Sequence, residues 1–198
     1  MSPTNSGLTL VLASTSRYRR ELLERLKLPF ETVSPGVDET PTSGEAPAVI
    51  AARLALAKAQ AAQSWFPSAL IIGADQVAFC EGLRLDKPGD RAGALSQLRH
   101  ASGKSVSFLT AIALVNTVNG NTQMRLVPTE VRFRKLSEAE MERYLQAEPA
   151  YDCAGSAKAE GLGISLMDSI HSSDPTALIG LPLIALSDML RSENLPVP

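Results

Sequence analysis

The stretch Thr9–Leu26, TLVLASTSRYRRELLERL, joins two different hydrophobic patterns. Its first part, Thr9 to Ser14, predicts a buried strand, because it is a short apolar run that ends in small turn-forming residues. From about Ser16 to Leu26 the leucines recur at helical spacing, so this part predicts an amphipathic helix. A buried strand that runs directly into a helix is typical of α/β proteins.

The rest of the chain continues this alternation. An Asn119-Gly120 pair between two strand-like runs predicts a hairpin, which makes the sheet mixed rather than purely parallel. We therefore predict one α/β domain over residues 1–198. The other predicted elements are a helix from Pro47 to about Ser64, a strand in ALIIGADQVAFCEG, a helix from about Asp90, strands in SVSFLTAIALVN and TQMRLVPTEVRFRKL, a helix with a capping box at Ser137 and Glu140, and a short strand and terminal helix beyond Pro149.

The composition indicates a globular protein of the cell interior. With 44% hydrophobic residues the chain is able to form a real core, and its net charge of −2 gives no overall positive field for nucleic acid or an anionic membrane. Cys80 and Cys153 are too few and too distant in sequence for a disulfide framework or a thiolate metal site. The chain has no signal-peptide pattern and no apolar run long enough for a membrane span. We expect a cytoplasmic protein with neither nucleic acid nor membrane as a partner.

Three arginines stand near the start of the first predicted helix, where a cation is unfavourable beside the helix dipole. A strand that leads into a helix N-terminus presents backbone N–H groups to an anion. The hydroxyls of Ser14–Ser16 and the guanidinium groups of Arg17, Arg19 and Arg20 add donors that match phosphate oxygens. The alternative is that Ser16 only caps the helix and the arginines form a solvated face.

Carboxylates and lysines supply a second candidate group. Asp38 and Glu39 lie together in a loop, and Asp75 ends the most apolar predicted strand, where a carboxylate needs a partner. Lys58 interrupts an alanine-rich helix, and Lys87 precedes a proline. A few carboxylates beside a phosphate pocket suit Mg²⁺, and two lysines would neutralise a polyphosphate. The alternative for Asp38 and Glu39 is that both are ordinary exposed loop acids.

Other reaction classes lack their motifs. The sequence contains no G-x-x-x-x-G-K-[ST] loop, and its two histidines belong to no recognisable nucleophile or zinc motif.

Taken together, these stretches resemble the Maf family of nucleoside triphosphate pyrophosphatases. The resemblance runs in order from about residue 10 to 190. Arg17 departs from the family motif, which has a proline there, and this leaves the start of the helix less rigid. The matching segments are LASTSRYRRELLERL, VDET, ALAKAQ, GADQVAFCEGLRLDKP, CAGSAKAEGLGI and DPTALIGLPLIAL.

The resemblance implies a two-lobed, mixed-sheet α/β fold of the inosine-triphosphatase type, with the active site in a cleft between the lobes. It also implies metal-dependent hydrolysis between the α and β phosphates, in which Mg²⁺, Mn²⁺ or Co²⁺ activates water. Asp75 would be the general base or a metal-supporting carboxylate, with Glu39 beside it at the metal. A homodimer is a further family-level expectation. The residues expected to hold the triphosphate are Ser14, Arg19, Arg20, Lys58 and Lys87.

Three positions distinguish the branches of the family. Tyr18, Gln76 and Glu160 resemble the branch that acts on 7-methyl-GTP rather than the branch that acts on pyrimidine triphosphates. A carboxylate such as Glu160 is able to accept hydrogen bonds from the N1–H and N2 amine of guanine, and a tyrosine ring is able to stack on the cationic methylated base. The structural alternatives are a turn acid for Glu160 and a partly exposed helix residue for Tyr18.

We therefore predict a pyrophosphatase that converts 7-methyl-GTP into 7-methyl-GMP and pyrophosphate and so removes a modified nucleotide. One alternative is a dTTP/UTP pyrophosphatase of the same family. The other is a non-catalytic, nucleotide-binding regulator of cell division.

Overall fold

Strands and helices alternate through most of the computed structural model, which describes residues 7–197. The described strands are β1 (Thr9–Ala13), β2 (Glu31–Val33), β3 (Ala69–Cys80), β4 (Leu83–Arg84), β5 (Ser105–Asn116), β6 (Thr122–Phe133) and β7 (Met167–Ser172). The described α-helices are α1 (Arg17–Glu24), α2 (Pro47–Ala61), α3 (Arg91–Ala101), α4 (Glu138–Ala147) and α5 (Leu183–Ser192). Short 3₁₀ turns occupy Gln63–Trp65, Ala154–Ser156, Leu162–Leu166 and Ala177–Ile179.

The strands of residues 7–197 form one mixed sheet, which confirms the predicted α/β class. Its order is β2-β1-β3-β5-β6-β7, and the two-residue strand β4 pairs with β3. Strand β1 is parallel to both β2 and β3, whereas β4 is antiparallel to β3 and β7 is antiparallel to β6. The turn between β5 and β6 contains Gly120 with a φ of 75°, a left-handed conformation that favours glycine.

The chain divides into two compact units. Of the described residues, the first unit comprises 7–76, 110–127 and 174–197, and the second comprises 77–109 and 128–173. Each unit contains segments that are distant in sequence, and the first boundary falls inside β3, between Gln76 and Val77.

A hydrophobic core in the first unit joins its earliest and latest segments. Leucines from β1 and α1 share this core with residues of β3, β5 and α5, including Leu186 and Leu190, which are fully buried. On another part of the unit, α2 lies very close to β3, because Gly73 faces Ala55 and Ala59 of the helix. The two helix residues at this contact, Ala55 and Ala59, both have small side chains.

Two helix starts in the second unit are capped as their sequences indicate. Asp90 accepts a hydrogen bond from the Gly93 N–H at 2.8 Å and caps α3. Ser137 and Glu140 form the predicted capping box of α4, in which each side chain accepts a hydrogen bond from the other residue's backbone N–H. The boundaries of both helices therefore follow from local chemistry.

Two predictions of local structure need correction. Asp75 does not end its strand but lies in the middle of β3, which continues to Cys80. Helix α1 ends at Glu24 rather than Leu26, and Lys27 takes a left-handed φ of 57° just beyond it. Helical leucine spacing extends past the last hydrogen-bonded turn, so the spacing alone overestimates the length of the helix.

Candidate active site

The junction between β1 and α1 is a hydrogen-bonded turn made by two serines. The Oγ of Ser14 accepts from the Ser16 N–H at 3.1 Å, and the Oγ of Ser16 caps α1 by accepting from the Arg19 N–H at 3.4 Å. The first turn of α1 contains no acidic residue. The positive end of the helix dipole and the nearby arginines are therefore not offset by a carboxylate in that turn.

Arg19 is anchored within the first unit. Its Nε donates to the Gly180 carbonyl at 2.9 Å, and its Nη1 lies 3.5 Å from the Ser14 Oγ. Burial lowers the pKa of the Arg19 guanidinium, and the negative charges of Asp75 and Glu39 act in the opposite direction. The arginine therefore lies in the same electrostatic environment as the two predicted metal-binding carboxylates.

Lys58 joins those two carboxylates. Its Nζ lies 2.6 Å from Asp75 Oδ1 and 2.7 Å from Glu39 Oε1. The Lys58 and Asp75 side chains are 6% and 9% exposed, whereas Glu39 is 60% exposed. Burial raises the pKa of the Asp75 carboxyl, while the charge and hydrogen bond of Lys58 lower it. Lys58 and Asp75 therefore form a buried ion pair in which each charge needs the other, and the exposed Glu39 carboxylate contacts the same lysine.

The two carboxylates fit the donor set of a hard divalent cation. Because both contact one nitrogen, their nearest oxygens lie within about 5 Å of each other, which suits an ion that takes one or two carboxylates plus substrate oxygens. Within residues 7–197 no group of three or more His, Cys, Asp or Glu side chains is arranged to hold a metal ion. A site built from the protein alone is therefore not indicated, and the substrate would have to complete it.

The loop that carries Glu39 is held to α2 by an ion pair that the sequence did not suggest. Arg53 donates to both oxygens of Glu45, at 2.7 and 2.8 Å, and this pairing is the main reason that the pKa of Glu45 falls to about 2. Arg53 also donates to the Thr40 carbonyl at 3.4 Å. Asp38 accepts a hydrogen bond from the Thr40 N–H at 2.9 Å, and this bond closes a turn within the loop.

The other two arginines of α1 do not join this group. Arg20 forms an exposed ion pair with Glu24 at 3.2 Å, one turn along the helix. Arg17 lies over the ring of Tyr18, 4.7 Å from its centroid, and donates to the Tyr18 hydroxyl at 2.7 Å. A cation therefore already lies beside the ring that was predicted to stack on a cationic base.

Gln76 also has structural partners. Its Nε2 lies 2.8 Å from Thr110 Oγ1 and 3.0 and 3.1 Å from the carbonyl oxygens of Ala177 and Leu178. These contacts attach the strand residue next to Asp75 to the turn before Gly180. Sequence patterns do not predict this arrangement, because more than 100 residues separate Gln76 from the 177–178 turn.

Lys87 and Glu160 belong to the second unit, where both are exposed. The loop that carries Glu160 is fixed to the end of α4. The Lys158 N–H donates to the Tyr144 hydroxyl at 3.1 Å, and the Gly163 N–H donates to Glu148 Oε2 at 3.2 Å. A carboxylate held on an anchored loop is suited to recognition of a ligand edge.

Comparison with known proteins places the chain among Maf proteins. The family model described as Maf-like protein matches residues 9–193, and the chain belongs to this family. It is 54% identical to the 7-methyl-GTP pyrophosphatase of Albidiferax ferrireducens over 95% of this chain and 94% of the relative. It is 57% identical to the enzyme of the same name from Bordetella avium over 92% and 91%. The family prediction is confirmed, and the names of these relatives agree with the predicted branch.

Proposed function

We propose that this protein hydrolyses 7-methyl-GTP to 7-methyl-GMP and pyrophosphate. The observation that carries the proposal is the buried Lys58–Asp75 pair in the same electrostatic environment as Arg19, close to the turn that begins α1. Relatives named for this activity are 54% and 57% identical to this chain over 95% and 92% of its length, which supports the choice of substrate. We further propose that it acts in the cytoplasm as a homodimer, each subunit folded as a single Maf-like domain.

The chain's own residues would bind the triphosphate, offset its negative charge and accept the proton of the attacking water. The N–H groups at the start of α1, the Ser14 hydroxyl and the Arg19 guanidinium would hold phosphate oxygens. Lys58 would keep Asp75 ionised in its buried position and would limit the repulsion between Asp75 and the substrate. Asp75 would accept the proton of the attacking water, a role that suits a carboxylate whose pKa is raised by burial.

A divalent cation fits this arrangement. Glu39 and Asp75 would hold Mg²⁺, Mn²⁺ or Co²⁺ together with substrate oxygens. When bound, the ion would neutralise developing phosphate charge and activate water. Arg20 and Lys87 would serve as outer phosphate contacts, since both are exposed.

Recognition of the base is proposed for Glu160, which would accept hydrogen bonds from the N1–H and N2 amine of guanine. Tyr18 would present its ring to the base, although the Arg17 guanidinium lies over that ring in the structure. Stacking by Tyr18 would therefore use the other face of the ring or displace Arg17.

The test is a side-by-side assay of turnover on 7-methyl-GTP, GTP, UTP and dTTP with Mg²⁺, Mn²⁺ and Co²⁺. We expect the highest kcat/KM on 7-methyl-GTP, with pyrophosphate as a product. A preference for UTP or dTTP would support the pyrimidine branch instead. Binding of nucleotide with no pyrophosphate from any triphosphate would support the regulatory alternative.

The control is Asp75→Asn, which keeps the shape of the side chain but removes its charge. We expect near-complete loss of turnover while circular dichroism shows a folded protein. Rates like those of the unaltered protein would exclude Asp75 from the mechanism.

A further inference from the structure

The loop of residues 174–183, here called the anchoring loop, is fixed at its start by one buried carboxylate. Asp174 is 2% exposed. Its Oδ1 accepts from the Thr176 N–H at 3.1 Å, and its Oδ2 accepts from the N–H groups of Ile184 and Ala185 at 2.7 and 3.2 Å. The same side chain therefore holds the beginning of the loop and satisfies the first turn of α5, which has no side-chain cap of its own.

Thr176 closes the loop on itself. Its Oγ1 accepts from the Leu183 N–H at 2.8 Å and lies 2.7 Å from Asp174 Oδ1 and 2.8 Å from the Leu181 carbonyl. One hydroxyl thus joins both ends of the loop, on either side of Gly180. Removal of that hydroxyl would remove three of the contacts that fix the path of the backbone between residues 176 and 183.

The middle of the anchoring loop is attached to the sheet. Thr110 of β5 donates to the Ala177 carbonyl at 2.9 Å, and Gln76 of β3 reaches the carbonyls of Ala177 and Leu178. The loop is therefore held from three sides within the first unit: by Asp174, by Thr176 and by the two strand residues.

These contacts fix the position of the Gly180 carbonyl. Gly180 has a φ of 117°, a left-handed conformation, and its carbonyl accepts from Arg19 Nε at 2.9 Å. A guanidinium group is planar, so an Nε that is fixed by a hydrogen bond restricts where the two terminal nitrogens point. One of them, Nη1, lies 3.5 Å from Ser14 Oγ at the β1–α1 turn.

We propose that the anchoring loop is a positioning device for Arg19, and that Thr176, Asp174 and Thr110 act on the substrate only through it. The proposal rests on the proposed function, in which Arg19 holds the triphosphate. Gln76 supports the same loop through its contacts with Thr110 and the loop carbonyls, and its role in substrate choice stays a prediction.

A double-mutant cycle tests the proposal with Thr176→Val, which keeps the shape of the side chain but removes the hydroxyl, and Arg19→Ala. We expect Thr176→Val to lower kcat/KM on 7-methyl-GTP by about tenfold or more, since a small displacement of a positioning group has effects of this size. Thr176→Ser, which restores the hydroxyl, should recover most of the activity. In the Arg19→Ala background, Thr176→Val should have no further effect on kcat/KM.

Each outcome decides the matter. A loss of kcat/KM that is equally large with and without Arg19 would show a general structural role for Thr176 and overturn the proposal, as would a Thr176→Val variant with unchanged kcat/KM. If Arg19→Ala itself leaves kcat/KM unchanged, the phosphate-binding role of Arg19 fails and the inference fails with it. If Thr176→Val does not fold, Thr110→Val, which removes the hydroxyl that donates to the Ala177 carbonyl, takes its place in the cycle with the same expected dependence on Arg19.

Discussion

Gly73 is the position where the packing of the sheet and the chemistry of the site are most directly linked. A Cβ at Gly73 would lie 2.1 Å from the Ala55 carbonyl oxygen, 2.7 Å from the Ala59 nitrogen and 3.1 Å from the Ala59 Cβ. The two closest atoms belong to the backbone of α2, so no side chain is able to rotate away. To reach an ordinary contact, Gly73→Ala would have to push α2 outward by roughly 1 Å.

That displacement has two measurable effects. Forcing an extra methyl into a closely packed contact costs about 1–3 kcal/mol, and we expect the upper end because the clash is with backbone. Lys58 lies on the same helix between Ala55 and Ala59, and its Nζ is 2.6 Å from Oδ1 of Asp75, two residues after Gly73. Movement of α2 would lengthen this contact, so we expect kcat/KM on 7-methyl-GTP to fall by about ten- to a hundredfold.

Urea unfolding followed by circular dichroism measures the first effect, and steady-state kinetics measures the second. The matched control is Gly82→Ala, where φ is 82° but no atom lies within 4 Å of the added Cβ. This control isolates the backbone strain of a side chain at positive φ, which costs about 1–2 kcal/mol. We expect it to leave kcat/KM unchanged. A Gly73→Ala protein with the stability of the control and full kcat/KM would refute the proposed link between packing and chemistry.

Three further predictions concern charged groups. Lys58→Met should destabilise the protein by about 3 kcal/mol or more at pH 7, because it leaves the Asp75 carboxylate buried without its partner. The loss of free energy of unfolding, measured with urea, should become smaller as the pH falls and the Asp75 carboxyl takes up a proton. Glu140 has a pKa of about 2, lowered first by its hydrogen bond from the Ser137 N–H. The unaltered protein should therefore be more stable than Glu140→Gln, by an amount that is complete above the unfolded pKa near 4.5. This difference in the free energy of unfolding should disappear as the pH is lowered toward 2. Glu160→Gln should shift the ratio of kcat/KM values away from 7-methyl-GTP relative to UTP, and an unchanged ratio would contradict its role in base recognition.

Much of the fold could be predicted from the sequence because its signals are local. Ser137 and Glu140 mark the start of α4 from three residues apart, and Asn119-Gly120 marks a turn between two strands. The family prediction was confirmed because ordered motifs run along nearly the whole chain. The predicted end of α1 and the predicted place of Asp75 at the end of its strand were wrong, since both depend on hydrogen bonds that a run of side chains does not reveal.

The candidate site was predictable in its charged residues but not in their supports. Lys58 and Asp75 were predicted as site residues because each is a charged residue in an apolar segment, and the structure pairs them. Asp174 and Thr176 gave no such signal, because acids and threonines in a turn are common and their partners lie in the backbone. The substrate contacts of these residues remain predictions, with the assays above as their tests.

The bond between Arg19 and Gly180 spans 161 positions of the chain. Its consequence concerns the timing of synthesis. A ribosome makes Ser14, Arg19, Lys58 and Asp75 well before it makes the carbonyl that orients Arg19 and the helix α5 that completes the surrounding core. A chain released before residue 174 would contain these four side chains without the geometry we propose they need, so we expect nucleotide hydrolysis to begin only after residues 174–192 have been made.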